Sequence, residues 1–161
     1  MKKILIFFLL AIIFTSCKST PSTVSKKETK RENKYIVNHL VEKATDNIGV
    51  KYKAGGTTKN GFDCSGLVFT TFESENIKLP RSSYEQSKIG KIINIDDAQK
   101  GDLVFFKTNK SKQINHVGLI TEVNSNEIKF VHSSTSKGVI ISSTKEPYYR
   151  NSFAQINRII E

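Results

Sequence analysis

The sequence predicts an α+β fold in which the helices come first and an antiparallel sheet follows. Residues 35–48 and 64–76 each carry apolar side chains at the spacing of an amphipathic helix. From Asp102 onward the chain changes to short runs of β-branched and aromatic residues separated by turn residues, which is typical of strands. Residues 35–161 are enough for one ordinary domain.

The first sixteen residues predict a signal peptide. Two lysines precede an unbroken apolar run from Ile4 to Phe14, which is too short to cross a bilayer. The run ends in residues 14–17 (FTSC), which resemble the lipobox of bacterial lipoproteins, with phenylalanine in the place of the usual leucine. We therefore expect Cys17 to be lipidated and to become the N-terminus. An ordinary secretory signal is the alternative.

Residues 17–34 are predicted to form the lipidated cysteine and a disordered tether. The stretch after Cys17 has no large apolar residue except Val24 and carries a net charge of +4. Residues 35–161 also carry +4, so the charge of +10 for the whole chain overstates how basic the domain is. A basic tether is favoured near anionic lipid headgroups or wall polymer, whereas nothing indicates nucleic-acid binding.

Within the domain, Gly49 is expected to end the first helix, and the glycine-rich residues 50–62 are expected to form a loop. A short helix is predicted to start at Ser82, where Glu85 completes a capping box. The predicted strands are 102–107, 115–123, 127–133, 138–143 and 154–160.

Cys64 is the residue that most strongly indicates chemistry. If Cys17 carries lipid, Cys64 has no disulfide partner, since the chain has only two cysteines. Asp63 is a good N-cap, so Cys64 should lie in the first turn of helix 64–76. There the helix dipole favours a thiolate, and unpaired N–H groups can stabilise an oxyanion. A disulfide with Cys17, or a buried inert thiol, is the alternative.

Two histidines can be brought together by strand register. If residues 124–126 form a three-residue hairpin loop, Gly118 faces His132 and leaves room opposite it. His116 and His132 then share one face of the sheet as diagonal neighbours. A two- or four-residue loop without a bulge would instead put the histidines on opposite faces.

Several motifs resemble those of the NlpC/P60 cysteine peptidases. The most specific are DCSGL at 63–67, HVG at 116–118 and HSS at 132–134. Others, in the same order and spacing as in the family, are Tyr52 before two glycines, LPRSS at 79–83 and GDLVFF at 101–106. The similarity covers roughly residues 35–160, which is nearly all of the predicted domain.

The resemblance implies a papain-like fold, with the cysteine on a helix packed against an antiparallel sheet that bears the histidines. Members hydrolyse amide bonds in peptidoglycan stem peptides, often the D-γ-glutamyl–diaminopimelate bond, and some lipoprotein members cut the cross-links between stems. No cofactor is implied, and no oligomeric state is indicated. We expect an exported protein, anchored by lipid to a bacterial membrane and facing the wall, on the periplasmic side of the outer membrane where two membranes exist.

The resemblance also assigns roles to single residues. It implies that Cys64 is the nucleophile, His116 the general base and His132 the residue that orients His116. The Tyr52 hydroxyl would help the first-turn N–H groups of the helix to hold the oxyanion. The residues that match positions near the family's substrate groove are Asp63, Ser65 and Arg81.

Alternative functions remain open from the sequence. Arg81 is expected to pair with a stem-peptide carboxylate. The alternative is that Arg81 is an ordinary surface arginine in a loop. Cys64, His116 and His132 could instead bind zinc, but no compact ligand pair and no fourth ligand are evident. The domain could also be a catalytically silent wall-binding lipoprotein, or an amidase or acyltransferase acting on another amide.

Overall fold

The computed structural model describes residues 23–161. The helices in this range are α1 Thr23–Thr45, α2 Cys64–Glu73, α3 Ser83–Gln86 and α4 Pro147–Ser152, with one 3₁₀ turn at Ile95–Asp97. The strands are β1 Thr57–Thr58, β2 Gly61–Phe62, β3 Lys91–Ile93, β4 Leu103–Phe106, β5 His116–Asn124, β6 Glu127–Ser134, β7 Gly138–Ser143 and β8 Phe153–Arg158.

Six strands form one antiparallel sheet in the order β3-β8-β4-β5-β6-β7. Strands β4 to β7 are the predicted meander, and β8 returns to lie between β3 and β4. The α+β class is confirmed. The sequence did not predict β3, because three residues at an exposed edge are too short to show a period of two. It also missed α4, a six-residue helix with proline in its first turn.

Helix α1 differs from its prediction at both ends. It begins at Thr23, so residues 23–34, which we predicted as part of a disordered tether, are helical. Lysine, arginine and glutamate have high helix propensity, and a continuous helix can extend through them although residues 26–34 are mostly exposed. The helix ends at Thr45, and Ile48, predicted to lie on its apolar face, is 51% exposed.

The sheet is covered on both faces. Helices α1 and α2 bury one face, where Leu40 and Phe72 join the cluster that contains Phe105 and Val131. The other face carries a more aromatic cluster that includes residues of β4 and β6 and, from α4, Tyr149. Complete burial of one such side chain contributes about 2 kcal/mol. Because α2 packs on β5 and β6, its first turn is held beside the start of β5.

The β5–β6 hairpin reaches the predicted pairing by a different route. The predicted three-residue loop is wrong: Asn124 pairs with Glu127, which leaves a two-residue turn. A bulge at Thr121 then shifts the register by one, and Leu119 pairs with Val131. The next pair is therefore Gly118 with His132, as predicted. A side chain at 118 would not find open space, because its Cβ would lie 2.5 Å from the Phe130 ring.

No helix within residues 23–161 is both long and apolar enough to cross a membrane. The predicted signal peptide (1–16) and the predicted lipidation site Cys17 lie outside the described residues, so both stay predictions.

Candidate active site

The first turn of α2 is capped as the sequence predicts. Asp63 has an extended backbone (φ −89°, ψ 174°), and its Oδ1 accepts a hydrogen bond of 2.6 Å from the Gly66 N–H. Cys64 is the first residue of the helix. Gly66 is required here by space, since a Cβ at this position would lie 2.0 Å from the Gly56 carbonyl oxygen. The loop before α2 is thus pressed against the turn that carries the thiol.

The Asp63 carboxylate joins several chain segments around Cys64. Arg81 donates to both of its oxygens, over 2.9 Å to Oδ1 and 2.7 Å to Oδ2. Further hydrogen bonds to it come from the Gly55 N–H and the Ser65 hydroxyl. Burial acts to raise the pKa of Asp63, but the bonds from Arg81 and Gly66 outweigh it, and the net pKa is lowered. Asp63 is therefore an ionised anchor at neutral pH.

Arg81 is engaged within the protein. Besides its two bonds to Asp63, its Nη1 donates to the Ser65 hydroxyl over 3.0 Å and its Nη2 to the Gly56 carbonyl over 3.4 Å. The structure thus brings together all three residues assigned to the groove. Pairing of Arg81 with a stem-peptide carboxylate stays a prediction.

The thiol of Cys64 lies against the backbone at the start of β5. Its Sγ is 3.9 Å from the Asn115 carbonyl oxygen, and the nearby Val117 N–H acts to lower the pKa of the thiol. Burial raises the pKa of Cys64 to about 11, and the charge of Asp63 adds to the rise, although backbone N–H groups of the first helix turn oppose it. The expected thiolate is therefore not the resting form, because desolvation outweighs the helix dipole.

The two histidines form a pair. His116 Nε2 lies 2.9 Å from His132 Nδ1, and the rings meet edge to face. His116 is partly exposed, whereas His132 is fully buried. Burial lowers the pKa of His116 to about 4. Burial, followed by the proximity of His116, lowers the pKa of His132 to about 3. Both rings are neutral at pH 7.

The thiol and the histidine pair are neighbours without a direct bond. Within residues 23–161, no hydrogen bond joins the Cys64 sulfur to an imidazole nitrogen. The sulfur contacts the carbonyl of Asn115, the residue just before His116, so the thiol lies against the backbone where β5 begins. Catalytic hydrogen bonds are often long in unliganded enzymes and tighten only when substrate is bound.

Tyr52 lies within electrostatic range of the thiol. It forms an isolated bridge with Phe62, just before α2. Its pKa is raised by burial first, then by Cys64, once that thiol ionises, and by the Asp63 carboxylate. The hydroxyl makes no hydrogen bond to any other residue that the structure describes. It is therefore free to donate to a bound molecule.

Two buried residues of the site were missed from the sequence. The Tyr149 hydroxyl lies 3.2 Å from His132 Nε2 and thus occupies the ring nitrogen that His116 does not use. Gln86, also fully buried, donates to the carbonyls of Ser65 and Pro80 and so supports the first turn of α2. No sequence signal distinguishes Tyr149 from its neighbour Tyr148.

A cavity of about 390 Å³ lies beside His116. The β6–β7 turn lines it with the hydroxyl side chains of Ser134, Thr135 and Ser136, and Tyr149 closes one side. Its size suits part of a small ligand. Across residues 23–161, no three or more His, Cys, Asp or Glu side chains are grouped so as to hold a metal ion. Both nitrogens of His132 are engaged in hydrogen bonds.

Known proteins resemble this chain over most of its length. The model of the NlpC/P60 family matches residues 49–158. A Haemophilus influenzae protein named "Probable endopeptidase NlpC homolog" is 36% identical, over 99% of this chain and 100% of the relative. The Escherichia coli K12 "Murein DD-endopeptidase MepS/Murein LD-carboxypeptidase" is 40% identical, over 78% of this chain and 64% of the relative.

The fold has solved counterparts. The crystal structure of an NlpC/P60 family protein from Bacillus cereus superposes with a TM-score of 0.69 at 30% identity, over 78% of this chain and 40% of that chain. The segment matched by the family model contains α2, the six-stranded sheet and both paired histidines.

Proposed function

The chain belongs to the NlpC/P60 family, and from that premise we propose that it is a cysteine endopeptidase that hydrolyses amide bonds in the stem peptides of peptidoglycan. The observation that carries the proposal is the His116–His132 pair, whose ring nitrogens are 2.9 Å apart, next to the backbone that the Cys64 thiol contacts. A nucleophile, a base and a residue that orients the base are the minimum set for this chemistry.

The resting site holds a neutral thiol and a neutral imidazole. His116 Nε2 is engaged by His132, so Nδ1 is the nitrogen left to accept the thiol proton. Transfer of that proton as the sulfur attacks a carbonyl carbon creates the nucleophile only when substrate is present. A thiol with a pKa of about 11 depends on such a base.

The oxyanion formed by the attack needs hydrogen-bond donors already in place. The N–H groups of the first turn of α2 lie next to the sulfur, and the free Tyr52 hydroxyl is within electrostatic range of it. Each such donor contributes about 3 kcal/mol to lowering the barrier in a water-poor site. His116, now an imidazolium, protonates the leaving amine. Water then hydrolyses the thioester on Cys64, with His116 again acting as the base.

The cross-link between stem peptides is the bond we propose. The 40% identical Escherichia coli relative carries the name of a murein DD-endopeptidase. The D-γ-glutamyl–diaminopimelate bond within one stem is the alternative product of the same chemistry. Mass spectrometry of the released muropeptides separates the two, because only cleavage of the cross-link converts dimers into monomers with intact stems.

The test is digestion of purified peptidoglycan by wild-type protein and by Cys64→Ser. We expect the serine variant to lose more than about a thousandfold in rate, since a hydroxyl is a far weaker nucleophile at this site. The matched control is His39→Gln, a histidine on α1 that contacts Glu75 and lies outside the site. Equal muropeptide profiles from wild type and Cys64→Ser would contradict the proposal.

We further propose that Cys17 is lipidated, and that the exported domain acts at the membrane surface that faces the wall. The short apolar run before Cys17 and the basic residues after it support this location. Cys17→Ala should abolish incorporation of labelled fatty acid and release the protein from the membrane fraction. Unchanged incorporation would rule out Cys17 as the attachment site.

A further inference from the structure

We propose that Tyr149 is a positioning residue whose hydroxyl oxygen accepts a hydrogen bond from His132 Nε2–H, and so selects the tautomers that leave His116 Nδ1 free to act as the base. The base role of His116, and the direction that it requires of the hydrogen bonds, rest on the proposed function. The tautomers themselves can be measured without substrate.

The geometry places His132 between two partners. Its Nδ1 lies 2.9 Å from His116 Nε2, and its Nε2 lies 3.2 Å from the Tyr149 hydroxyl. The rings of His132 and Tyr149 meet edge to face with centroids 5.2 Å apart. His132 is fully buried and Tyr149 is only 7% exposed. Bulk water therefore does not supply a replacement for either hydrogen bond.

A chain of two neutral imidazoles has two possible directions. In the first, His116 Nε2–H donates to His132 Nδ1, and His132 Nε2–H donates to the Tyr149 oxygen. His116 then has an unprotonated Nδ1. In the second, Tyr149 donates to His132 Nε2, and His132 Nδ1–H donates to His116 Nε2. The proton of His116 is then on Nδ1, and this nitrogen cannot accept another.

The phenol is able to act as the acceptor that the first direction needs. Burial keeps it protonated, since it raises the pKa of Tyr149 to about 12. A protonated phenol oxygen still has lone pairs that can accept from His132 Nε2–H.

The same direction is needed after proton transfer. When His116 is an imidazolium, its Nε2 carries a proton and must donate to His132 Nδ1. His132 then has its own proton on Nε2, where Tyr149 is the acceptor within reach. No proton has to move between His132 and Tyr149 during turnover. An arrangement that already fits the charged state avoids reorganisation in the transition state.

Tyr149→Phe removes only the hydroxyl. A buried His132 Nε2–H would then have no acceptor, so His132 should move its proton to Nδ1 and donate to His116. We expect kcat to fall about tenfold with KM unchanged, because one hydrogen bond of ordinary strength separates the two directions. The matched control is Tyr148→Phe, whose hydroxyl bonds to Asn109 and not to a histidine.

The direct readout is the ¹⁵N NMR spectrum of the imidazole nitrogens, in which protonated and unprotonated nitrogens are well separated. The wild type should show His132 protonated on Nε2 and His116 unprotonated on Nδ1. Tyr149→Phe should reverse both assignments, and Tyr148→Phe should reverse neither. His39, the third histidine of the chain, serves as the internal reference.

The wild-type spectrum is a second test, and it needs no variant. His132 protonated on Nδ1, or His116 protonated on Nδ1, would overturn the inference even if Tyr149→Phe does not fold. Wild-type tautomers in folded Tyr149→Phe would also overturn it. The expected tautomers, with their reversal in Tyr149→Phe, in a protein whose wild type digests no peptidoglycan would instead overturn the proposed function alone.

Discussion

Two Asp–Arg pairs in this protein have the same chemistry and different surroundings. Asp63 and Arg81 lie at the candidate site, where the two side chains are 15% and 38% exposed. Asp102 and Arg158 join the start of β4 to the end of β8, where they are 3% and 19% exposed. In each pair the guanidinium donates to both carboxylate oxygens.

The difference lies in what each pair connects. Asp102 also accepts from the Gln99 N–H, and Arg158 donates to the Asp97 carbonyl, so this pair closes the loop before β4 against the last strand. Asp63 instead ties together the segments that surround a thiol. How deeply a charged pair is buried determines how much it affects stability. The residues that the pair connects determine whether its loss affects the fold or the chemistry at the site.

The largest effect should come from breaking the buried pair. Asp102→Asn leaves Arg158 without its charge partner, which should lower the free energy of unfolding by about 3 kcal/mol. The melting temperature should fall by about 10 °C. The rate of peptidoglycan digestion per folded molecule should stay within twofold of the wild type. Circular dichroism melts and initial rates at 20 °C measure both quantities.

The control for that variant is Asp97→Asn, which removes an exposed carboxylate near the same arginine. Arg158 uses the Asp97 backbone carbonyl and not its side chain, so stability should change by less than about 0.5 kcal/mol. If Asp102→Asn destabilises no more than this control, the buried pair is not what holds β8 to β4.

The less buried pair, Asp63 and Arg81, should behave in the opposite way. Asp63→Asn keeps a good N-cap, so it should cost only about 1 kcal/mol of stability. Because it loosens the contacts around Cys64, kcat/KM should fall about tenfold, which is less than the roughly hundredfold loss that a 1 Å misplacement can cause. An activity equal to the wild type would show that Asp63 serves only to cap the helix.

The same variant should lower the pKa of the Cys64 thiol. The charge of Asp63 helps to raise the pKa of Cys64, so Asp63→Asn should lower that pKa. The rate of alkylation by iodoacetamide, followed against pH, reports it. The profile should move to lower pH, and an exposed control, Asp96→Asn, should leave it in place. A shift to higher pH would mean that lost hydrogen bonds outweigh the removed charge.

Acid should reduce the contribution of Asp63 to the stability of the fold, and this effect should be smaller than those of the substitutions above. The pKa of Asp63 is lowered in the folded protein, so its contribution is complete above the ordinary value of 3.8 and is lost as pH falls through the folded value. The difference in melting temperature between wild type and Asp63→Asn should therefore narrow from pH 7 to pH 3. A constant difference would contradict a charge-dependent bond.

The smallest effect is expected for Arg81→Lys. Lysine keeps the positive charge but cannot donate to both oxygens of Asp63 in the planar geometry of a guanidinium. Because Arg81 is 38% exposed, stability should change by less than about 1 kcal/mol. The rate should fall about threefold, less than for Asp63→Asn. A larger loss of rate than that would indicate that Arg81 contacts the substrate itself.

The sequence predicted those parts of the site that depend on neighbours along the chain. The Asp63 cap and the position of Cys64 in the first turn follow from spacing and side-chain chemistry within a few residues. The Ser82 cap of α3, which accepts from the Glu85 N–H, was found in the same way. The extension of α1 to Thr23 was missed because the helix was predicted from its apolar side chains, and this mostly polar and charged segment has almost none. Its helicity depends instead on helix propensity.

The histidine pairing shows where local reasoning stops. The sequence predicted that Gly118 lies opposite His132, but through a loop that the protein does not form. A shorter turn and a bulge at Thr121 give the same register, and bulges have no strong sequence signal when both strands are already well packed. The prediction that both histidines share one face of the sheet was confirmed, whereas the predicted three-residue loop was wrong.

The sequence by itself determined the α+β class, the family resemblance and the placement of Cys64 at a helix start, because each depends on patterns along the chain. Only the tertiary structure decided the protonation of the site and the contact between Tyr149 and His132. Burial raises the pKa of Cys64 and lowers that of both paired histidines, and burial is set by all the elements that pack together. The pentapeptide at 63–67 identifies the thiol, and the folded sheet determines that its resting form is neutral.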